Sequence, residues 1–416
     1  MSRTLIRAPR LFDGAARSAR EHAFVLLEGQ RIAAVGDQRE LSGGEQFEHV
    51  IELPPDCTLL PGLINMHTHI SFSSSDRVFA DALAESDVHK MIRIAENLRS
   101  ALATGVTTLR DCGTWPHLAL PVRDAVERGL LTGPRIIASG AITITGGHCW
   151  FCAREADSED EIRKAVRAHV KDGVDFIKLF ATGGNTTPGS DALATQYSAA
   201  QMCAATEEAR RSGRRTASHA HAVDGVRHSI AARVTTIEHC SFQTAAGIGW
   251  DEDMVSAILD AGIYVCHTVF RASTKLERDA LAADLQAMFD RRARAIEQRL
   301  VLTRRLADKG VKLIAGNDAG VSQVTFADFP GDLVLAATGC GIAPVDVLIS
   351  ATGEAARALG RDDIGTLAPG KCADLLAVHG DPLADIRAIT RPERVLARGR
   401  PAAGAGAALN VLVTGA

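Results

Sequence analysis

The chain has 416 residues, of which 46% are hydrophobic, so it can bury a large core and is long enough for one domain of barrel size plus a smaller unit. Its formal net charge of −4 arises from 46 basic and 50 acidic residues without long runs of one sign. This balance argues against nucleic acid or an anionic membrane as a partner and favours chemistry on a small molecule.

The N-terminal segment MSRTLIRAPRLFDGAARSAREH has no apolar stretch followed by a small-residue cleavage site, and no apolar run reaches the length of about 18 residues that a membrane span needs. We therefore expect a cytoplasmic protein without a membrane partner. Nine cysteines, an odd number scattered along the chain, favour reduced thiols over a disulfide framework. Cys149 and Cys152 form one C-x-x-C pair, which we interpret as packing or loop residues.

Short alternating strands are predicted at both ends of the chain. Residues 1–58 contain FVLLEGQRIAAVG and FEHVIEL, and residues 365–416 contain GTLAPGKCADLLAVHG and RVLARGR before a tail rich in glycine and alanine. The economical arrangement is a small discontinuous β-sandwich that is built from both ends of the chain.

The middle of the chain, residues 59–364, repeats a β-then-α unit eight times. The predicted strands are LLPGLINMHTH (59–69), TTLRD (107–111), RIIASG (135–140), DFIKLF (175–180), RTASHAH (215–221), TTIEHC (235–240), GIYVCHT (262–268) and KLIAGNDAG (312–320). Between them lie helical patterns such as EDEIRKAVRAHVKDG, several of which end at a glycine in the C-terminal cap position. Eight such units predict an α/β fold, a (β/α)8 barrel of the TIM type, with its chemistry at the carboxyl ends of the strands.

Histidines and one aspartate fall at those strand ends. His67 and His69 share one face of a strand because they are two residues apart, although two separately satisfied histidines would give the same pattern. His219, His239 and Asp318 come from other strands. Imidazoles and a carboxylate suit a borderline divalent metal, with zinc as the default and manganese, iron, cobalt or nickel also acceptable. Coordination positions left open for water would mark a catalytic site.

Lys178, in DFIKLF, falls at the same end of the barrel but cannot bind a cation as an ammonium. If burial keeps its amine neutral, the amine can take up carbon dioxide and become a carbamate, whose two oxygens can bridge two metals. An internal lysine paired with a carboxylate is the alternative. The neighbouring ligand candidates favour the carbamate.

Five motifs in chain order, PGLINMHTH, the lysine of DFIKLF, ASHAH, IEH and GNDAG, together resemble the amidohydrolase superfamily in its binuclear form with a carboxylated lysine. The flanking GVTTLRD and GTLAPGKCADLLAV fit as well, so the resemblance covers essentially the whole chain. It is strongest to the branch of Xaa-Pro and Xaa-Arg dipeptidases and carboxypeptidases, which includes ochratoxin-, carbamate- and urea-cleaving hydrolases. The resemblance implies two divalent metal ions, by default zinc, with N6-carboxylysine at position 178. The implied metal ligands are His67, His69, Lys178, His219, His239 and Asp318.

The resemblance also implies roles beyond metal binding. The spacing of Lys178, His219 and His239 is similar to that of the branch, which selects His219 rather than His221 as the ligand from the fifth strand. His221 and His148, the latter in ITITGGHCW, are then expected to bind substrate. A packing role for His221 and an ordinary loop position for His148 are the alternatives. Asp318 is expected to bind metal and also to carry the proton during catalysis.

The expected activity is hydrolysis of an amide-type bond in a small molecule, either a dipeptide or an N-acyl amino acid, by a hydroxide that bridges two metals. A hydrolase of carbamates, ureas or other xenobiotics on the same site is the alternative. Lys178 argues against a ring-opening hydrolase or deaminase, and the complete ligand set argues against a non-catalytic barrel. The loop VSQVTFADFPGD after the eighth strand is apolar where a peptidase would favour groups that bind a substrate carboxylate. The expected partners are a small-molecule substrate and further copies of the chain in a homo-oligomer.

Overall fold

The computed structural model describes residues 3–41, 46–269 and 283–402. Its strands are β1 Arg3–Leu11, β2 Arg20–Glu28, β3 Arg31–Asp37, β4 His49–Glu52, β5 Cys57–Pro61, β6 Leu63–Thr68, β7 Val106–Asp111, β8 Arg135–Thr143, β9 Arg154–Glu155, β10 Phe176–Phe180, β11 Arg215–Ala222, β12 Thr236–Thr244, β13 Gly247–Ile248, β14 Tyr264–Cys266, β15 Leu313–Ile314, β16 Leu375–His379, β17 Pro392–Ala397 and β18 Arg400–Pro401. Its α-helices are α1 Val78–Ala84, α2 Asp87–Ala103, α3 Pro116–Glu127, α4 Glu159–Asp172, α5 Ala199–Arg211, α6 Val223–Ala231, α7 Glu252–Asp260, α8 Ala283–Asp308, α9 Phe329–Thr338, α10 Pro344–Ser350 and α11 Gly353–Leu359.

Parallel strands from the middle of the chain form a barrel. They follow the order β6-β7-β8-β10-β11-β12-β14-β15, and each pairs in parallel with its neighbour. A bridge between Thr68 and Ala319, with a hydrogen bond of 2.9 Å from the amide of Met66 to the carbonyl of Ala315, brings the end of this series back to β6. The predicted eight-stranded α/β barrel is therefore confirmed, and its strands direct their carboxyl ends to one side.

The helices between the strands begin and end where the local sequence predicts. The hydroxyl of Ser158 accepts a hydrogen bond from the amide of Glu161, and the amide of Ser158 donates a hydrogen bond to the Glu161 carboxylate. This reciprocal pair marks the start of α4. Gly173 ends the helix with a φ of 93°, which only glycine adopts without strain. Ile162 and Val166 face the barrel, and burying each contributes roughly 1.5–3 kcal/mol. Within the described ranges, no helix has both the length and the apolar character that a membrane span requires.

Strands from both ends of the chain form a separate, mostly-sheet unit, as predicted. Their order is β18-β17-β16-β5-β1-β2-β3, and β4 also pairs with β1. Ile6, Val25, Leu59 and Leu375 share one buried cluster, so the N-terminal and C-terminal strands fold over a common core. The two ends of the chain therefore depend on each other for burial.

The predicted first barrel strand, residues 59–69, is two strands in the structure. Leu59, Leu60 and Pro61 belong to β5, which pairs with β16 in the small sheet, so the predicted domain boundary after residue 58 falls inside a strand. Pro61 has no amide hydrogen to continue a ladder. At Gly62 a Cβ would lie 2.2 Å from Oγ1 of Thr107, so only glycine lets the chain pass close to β7 as it enters the barrel.

Candidate metal centre

The predicted site residues meet at the carboxyl end of the barrel strands. Three groups of possible metal ligands form there among the described residues, and within each group the donor atoms lie within 4.8 Å of one another. Two groups contain only predicted residues and are His67, His69 and Asp318, and His219, His221 and His239; the third, His67, Cys112 and Glu238, shares His67 with the first. The rings of His67 and His239 have centroids 5.0 Å apart, so the two groups lie side by side. The structure thus brings together the histidines and the aspartate that the sequence pattern selects.

His67 and His69 both direct Nε2 at the carboxylate of Asp318. The distances to Oδ1 are 3.4 Å from His67 and 3.2 Å from His69. Burial lowers the pKa of His67 to about 4, so the ring is neutral near pH 7 and can offer a lone pair. Burial by itself would raise the pKa of Asp318, but the adjacent His67 and His69 hold it well below its usual range. His67 and Asp318 therefore offer a neutral donor and an anion, which suits a divalent cation. Burial alone would lower the pKa of His69, but Asp318 raises it.

His239 and His219 each have one ring nitrogen held by a polar neighbour. Nδ1 of His239 is 2.8 Å from Oγ1 of Thr268, and Nε2 of His219 is 3.0 Å from the carbonyl oxygen of Gly183. Burial lowers the pKa of both histidines well below the usual range. Each ring is therefore neutral, with its orientation fixed and its other nitrogen available as a ligand.

Backbone strain is concentrated at this site. His239, Thr268 and Asp318 have φ values of 67°, 41° and 62°, in the left-handed region that residues with a side chain rarely occupy. Such a conformation costs about 1–3 kcal/mol and persists where the surroundings hold it in place. At His239 the left-handed backbone interrupts the alternation of side chains along β12. Glu238 and His239 are consecutive, yet both lie next to His67.

Lys178 lies in β10 and is fully buried at 0% exposure. Its Nζ atom has no hydrogen-bond partner within the described part of the chain. The ring of Phe180 lies nearby, with its centroid 5.4 Å from Nζ. A buried amine without a hydrogen-bond partner is unfavourable, so its position in the folded protein calls for polar contacts that the described residues do not give it.

Glu238 and Arg110 form a buried ion pair that the sequence interpretation did not assign to the site. Nη2 of Arg110 donates to Oε1 of Glu238 over 2.6 Å, and Oε2 of Glu238 is 2.8 Å from Nδ1 of His67. Burial alone would raise the pKa of Glu238, but Arg110 and the hydrogen bond to His67 hold it well below its usual range. The signal in the sequence was limited to the charged residues Arg110 in TTLRD and Glu238 in TTIEHC, each inside a predicted strand of the barrel.

Arg299, on α8, is a second residue that the sequence patterns did not reveal. Its Nη2 donates to Oγ1 of Thr268 over 2.5 Å and to the carbonyl of His267 over 3.1 Å. Since Thr268 also contacts His239, the guanidinium supports a ligand candidate through one intervening hydroxyl. Arg299 is one of six arginines in the sequence of this long helix, and nothing in that sequence distinguishes it as the one that makes this contact.

His148 and His221 complete the ring of histidines. The ring of His148 is 4.8 Å from that of His219, and its Nδ1 has no hydrogen-bond partner within the described ranges. A Cβ at position 184 would lie 2.5 Å from Nε2 of His148, so Gly184 permits this close approach. His221 points Nδ1 at Oγ of Ser241 over 2.9 Å, and burial lowers its pKa to about 3.

Cys149 and Cys152 lie beside the site as free thiols. Cys152 donates to the carbonyl of Cys149 over 3.4 Å, and both side chains belong to a buried cluster with Phe72 and Phe151. The interpretation of the pair as packing residues stays a prediction, since burial alone would raise the pKa of Cys149 but Cys152, His148 and His69 hold it well below its usual range. None of the nine cysteines forms a disulfide.

Residues 58–401 match the Amidohydrolase family, and the chain therefore belongs to this family. It is a hydrolase that acts on carbon–nitrogen bonds. The resemblance inferred from the motifs is confirmed.

Similarity to individual proteins extends over nearly the full length of the chain. Ochratoxinase of Aspergillus niger is 26% identical over 434 aligned positions, which cover 94% of this chain and 84% of the relative. A crystal structure of a Xaa-Pro dipeptidase with bound methionine in its active site is 28% identical, with a TM-score of 0.84, and the match covers 96% of this chain and 99% of that one. The structure of a molinate hydrolase, 22% identical with a TM-score of 0.82 over 100% of this chain and 97% of that one, shares the fold.

Proposed function

We propose that the protein is a metal-dependent hydrolase that cleaves an amide bond in a dipeptide or N-acyl amino acid. The observation that carries the proposal is the buried Nζ of Lys178, which has no hydrogen-bond partner in the described ranges and lies at the barrel end that holds the two ligand groups. A structural role for this lysine would require an acceptor. A metal centre gives both the lysine and the histidines a function.

The donor set fits two divalent ions. His67, His69 and Asp318 would hold one ion, and His219 and His239 would hold the other, with zinc as the default metal. Bound there, the ions would polarise the substrate carbonyl and lower the pKa of water toward about 7. The anchored ring nitrogens of His67, His219 and His239 support this assignment, because metal-binding histidines usually donate their other nitrogen to a protein acceptor.

Lys178 would serve this centre as a carbamate. The neutral amine would form a bond from Nζ to the carbon of carbon dioxide and release one proton to water. The resulting carbamate anion carries two oxygens attached through that carbon to Nζ. The buried Nζ supports this step, because it has no hydrogen-bond partner in the described ranges and the added oxygens would supply the polar contacts that it lacks. The product, N6-carboxylysine, would supply anionic oxygens as further metal ligands beside the two groups.

Asp318 would carry a proton from the attacking water to the leaving nitrogen of the substrate. Its Oδ1 faces His67 and His69, and its pKa lies well below the usual range, so the carboxylate is ionised and ready to accept a proton from the attacking water. Passing that proton to the leaving nitrogen would allow the amine to depart. The strained backbone at Asp318 supports such a role, because strain is tolerated where a side chain must be held in one direction.

His148 and His221 would bind the substrate next to the metal ligands. His148 is 4% exposed and its Nδ1 has no hydrogen-bond partner within the described ranges, so a polar group of a substrate that reached it, such as a carboxylate, would complete its contacts. The apolar loop after β15 does not argue against a peptide, since Val324, Phe326 and Phe329 are at most 2% exposed and belong to the interior rather than to a substrate surface. The names of the relatives, a Xaa-Pro dipeptidase and an ochratoxinase, also favour this substrate class.

Purified protein loaded with zinc or manganese should be tested against matched panels of dipeptides, N-acyl amino acids, carbamates and ureas. We expect turnover of amides that carry a free carboxylate and little turnover of the corresponding amidated compounds. Turnover confined to carbamates or ureas would instead favour a xenobiotic hydrolase. Metal-replete protein that hydrolyses none of the panels would contradict the proposal.

A further inference from the structure

Asp56, Cys57 and His379 form a separate cluster of possible metal ligands, on the small sheet rather than in the barrel. Cys57 begins β5, and His379 ends β16 directly opposite it in the antiparallel ladder. The backbone around them is held by hydrogen bonds, since Oγ1 of Thr58 donates to the carbonyl of Gly380 over 2.7 Å and the amide of Gly380 donates to the carbonyl of Asp56 over 3.0 Å. The three side chains are therefore carried by a fixed piece of sheet.

The distances between the donor atoms are close to those in a tetrahedral zinc site. With bonds of about 2.3 Å to sulfur and about 2.0–2.1 Å to nitrogen or oxygen, neighbouring donors lie roughly 3.3–3.6 Å apart. Here Sγ of Cys57 is 3.7 Å from Nδ1 of His379 and 4.0 Å from Oδ1 of Asp56. Nδ1 of His379 is 3.3 Å and 3.1 Å from the two carboxylate oxygens of Asp56. Movements of a few tenths of an ångström would bring all three donors onto one ion.

The opposite nitrogen of His379 has the partner that a metal-binding histidine needs. Its Nε2 is 2.9 Å from Oε2 of Glu393, on β17. A hydrogen on Nε2 leaves the lone pair on Nδ1, which faces Asp56 and Cys57. In the absence of metal the same ring would instead carry a charge and bridge two carboxylates, so the geometry allows an ion triad as the competing state.

The nearest cation does not block the cluster. Nη2 of Arg10 donates to the main-chain carbonyl of Asp56 over 2.6 Å, and Nε of Arg10 donates to Oγ1 of Thr58 over 3.2 Å. Both bonds hold the guanidinium on groups other than the Asp56 carboxylate. That carboxylate side chain is 61% exposed, so solvent can supply a fourth ligand.

We propose that Asp56, Cys57 and His379 bind one divalent cation of the zinc type, completed by water. Burial and the neighbouring Asp56 raise the pKa of the Cys57 thiol to about 12, so the ion must displace this proton, which leaves to solvent past the exposed Asp56 side chain. Cys57 then binds as the thiolate, and His379 binds through Nδ1. The ion joins residues that are 322 positions apart and ties the N-terminal strands of the small sheet to the C-terminal strands. Its role is structural, because binding favours the folded arrangement of two segments that are distant in sequence.

Cobalt(II) distinguishes this site from the barrel site. The barrel donors assigned above are nitrogen and oxygen atoms, whereas a thiolate bound to cobalt(II) gives a charge-transfer absorption in the near ultraviolet. Wild-type protein loaded with cobalt(II) should show this absorption, and Cys57→Ser should lose it together with one equivalent of bound metal per chain. Cys203→Ser, a matched change at another cysteine outside both sites, should keep the absorption and the full metal content.

A second variant keeps the test decisive if loss of the buried Cys57 thiol impairs folding. His379→Gln changes a half-exposed side chain and should also lose the absorption and one metal equivalent, while hydrolytic activity stays at the wild-type level. Added zinc should raise the unfolding temperature of wild type more than that of either variant. Absence of the thiolate absorption in wild-type protein at saturating cobalt(II), or its persistence in Cys57→Ser, would overturn the proposal in favour of a metal-free ion triad.

Discussion

Oε2 of Glu238 accepts a hydrogen bond from Nδ1 of His67 over 2.8 Å, and both side chains are at most 1% exposed. This contact fixes the His67 ring so that Nε2 faces Asp318. The other carboxylate oxygen is bound by Arg110, so the charge of Glu238 is balanced inside the barrel. A proposed metal ligand is thereby positioned by a buried ion pair.

Replacing Glu238 with glutamine should therefore weaken both stability and metal binding. The change leaves Arg110 as a buried charge without its partner, which costs about 3–5 kcal/mol in the free energy of unfolding. Metal affinity should fall roughly 10–100-fold because the His67 ring loses its anionic acceptor. Chemical denaturation and competition with a chelator would measure the two effects. Glu96→Gln, which removes an exposed pair with Arg99, should change the unfolding free energy by less than about 1 kcal/mol and leave metal affinity unchanged.

Lys178→Ala should abolish activity at ordinary metal concentrations, because the two oxygens of the proposed carbamate are lost. Acetate or propionate should restore part of the rate by occupying the vacated space, whereas methylamine should not. Lys171→Ala, at an exposed lysine of α4, serves as the control and should retain full activity. Two bound metals and a normal rate in Lys178→Ala, or an unmodified lysine in fully active protein, would show that no carbamate is needed.

Asp318→Asn should separate proton transfer from metal binding. The amide can still offer an oxygen but cannot accept the proton, so we expect bound metal with a loss of about 10²–10⁴-fold or more in kcat. His69→Ala should lose metal as well as rate, since it removes a ligand outright. Metal analysis and steady-state kinetics on the same preparations would compare them. Near-normal turnover by metal-replete Asp318→Asn would rule out the proton-transfer role.

His148→Gln should raise KM with little loss of metal. Removing a hydrogen bond to a charged substrate group costs about 1.5–3 kcal/mol, which corresponds to roughly 10–100-fold in KM. His117→Gln, at a mostly exposed histidine on α3, is the matched control and should leave both kcat and KM unchanged. An unchanged KM for His148→Gln with every substrate that is turned over would assign His148 to the loop structure alone.

The sequence by itself was sufficient for the barrel and for the set of converging side chains. Repeated apolar runs and helical segments define the β-then-α units, and parallel strands must end on the same side of a closed sheet. The alternation of a strand puts His219 and His221 on one face, and their rings lie 4.6 Å apart. Local patterns therefore determined which residues meet at the end of the barrel.

Only the tertiary structure decided how those residues are held. Residues 59–69 read as one apolar run, but the chain divides them at Pro61 and Gly62 because β5 finds its partner in β16, more than three hundred residues away. The ion pair of Glu238 with Arg110 joins two strands that are not neighbours in the barrel, which no local pattern specifies. The left-handed backbone at His239 depends likewise on packing around it, since intrinsic preference disfavours that conformation. These features arise from contacts between segments that are distant in the sequence. Local sequence preferences carry no information about the energies of such contacts.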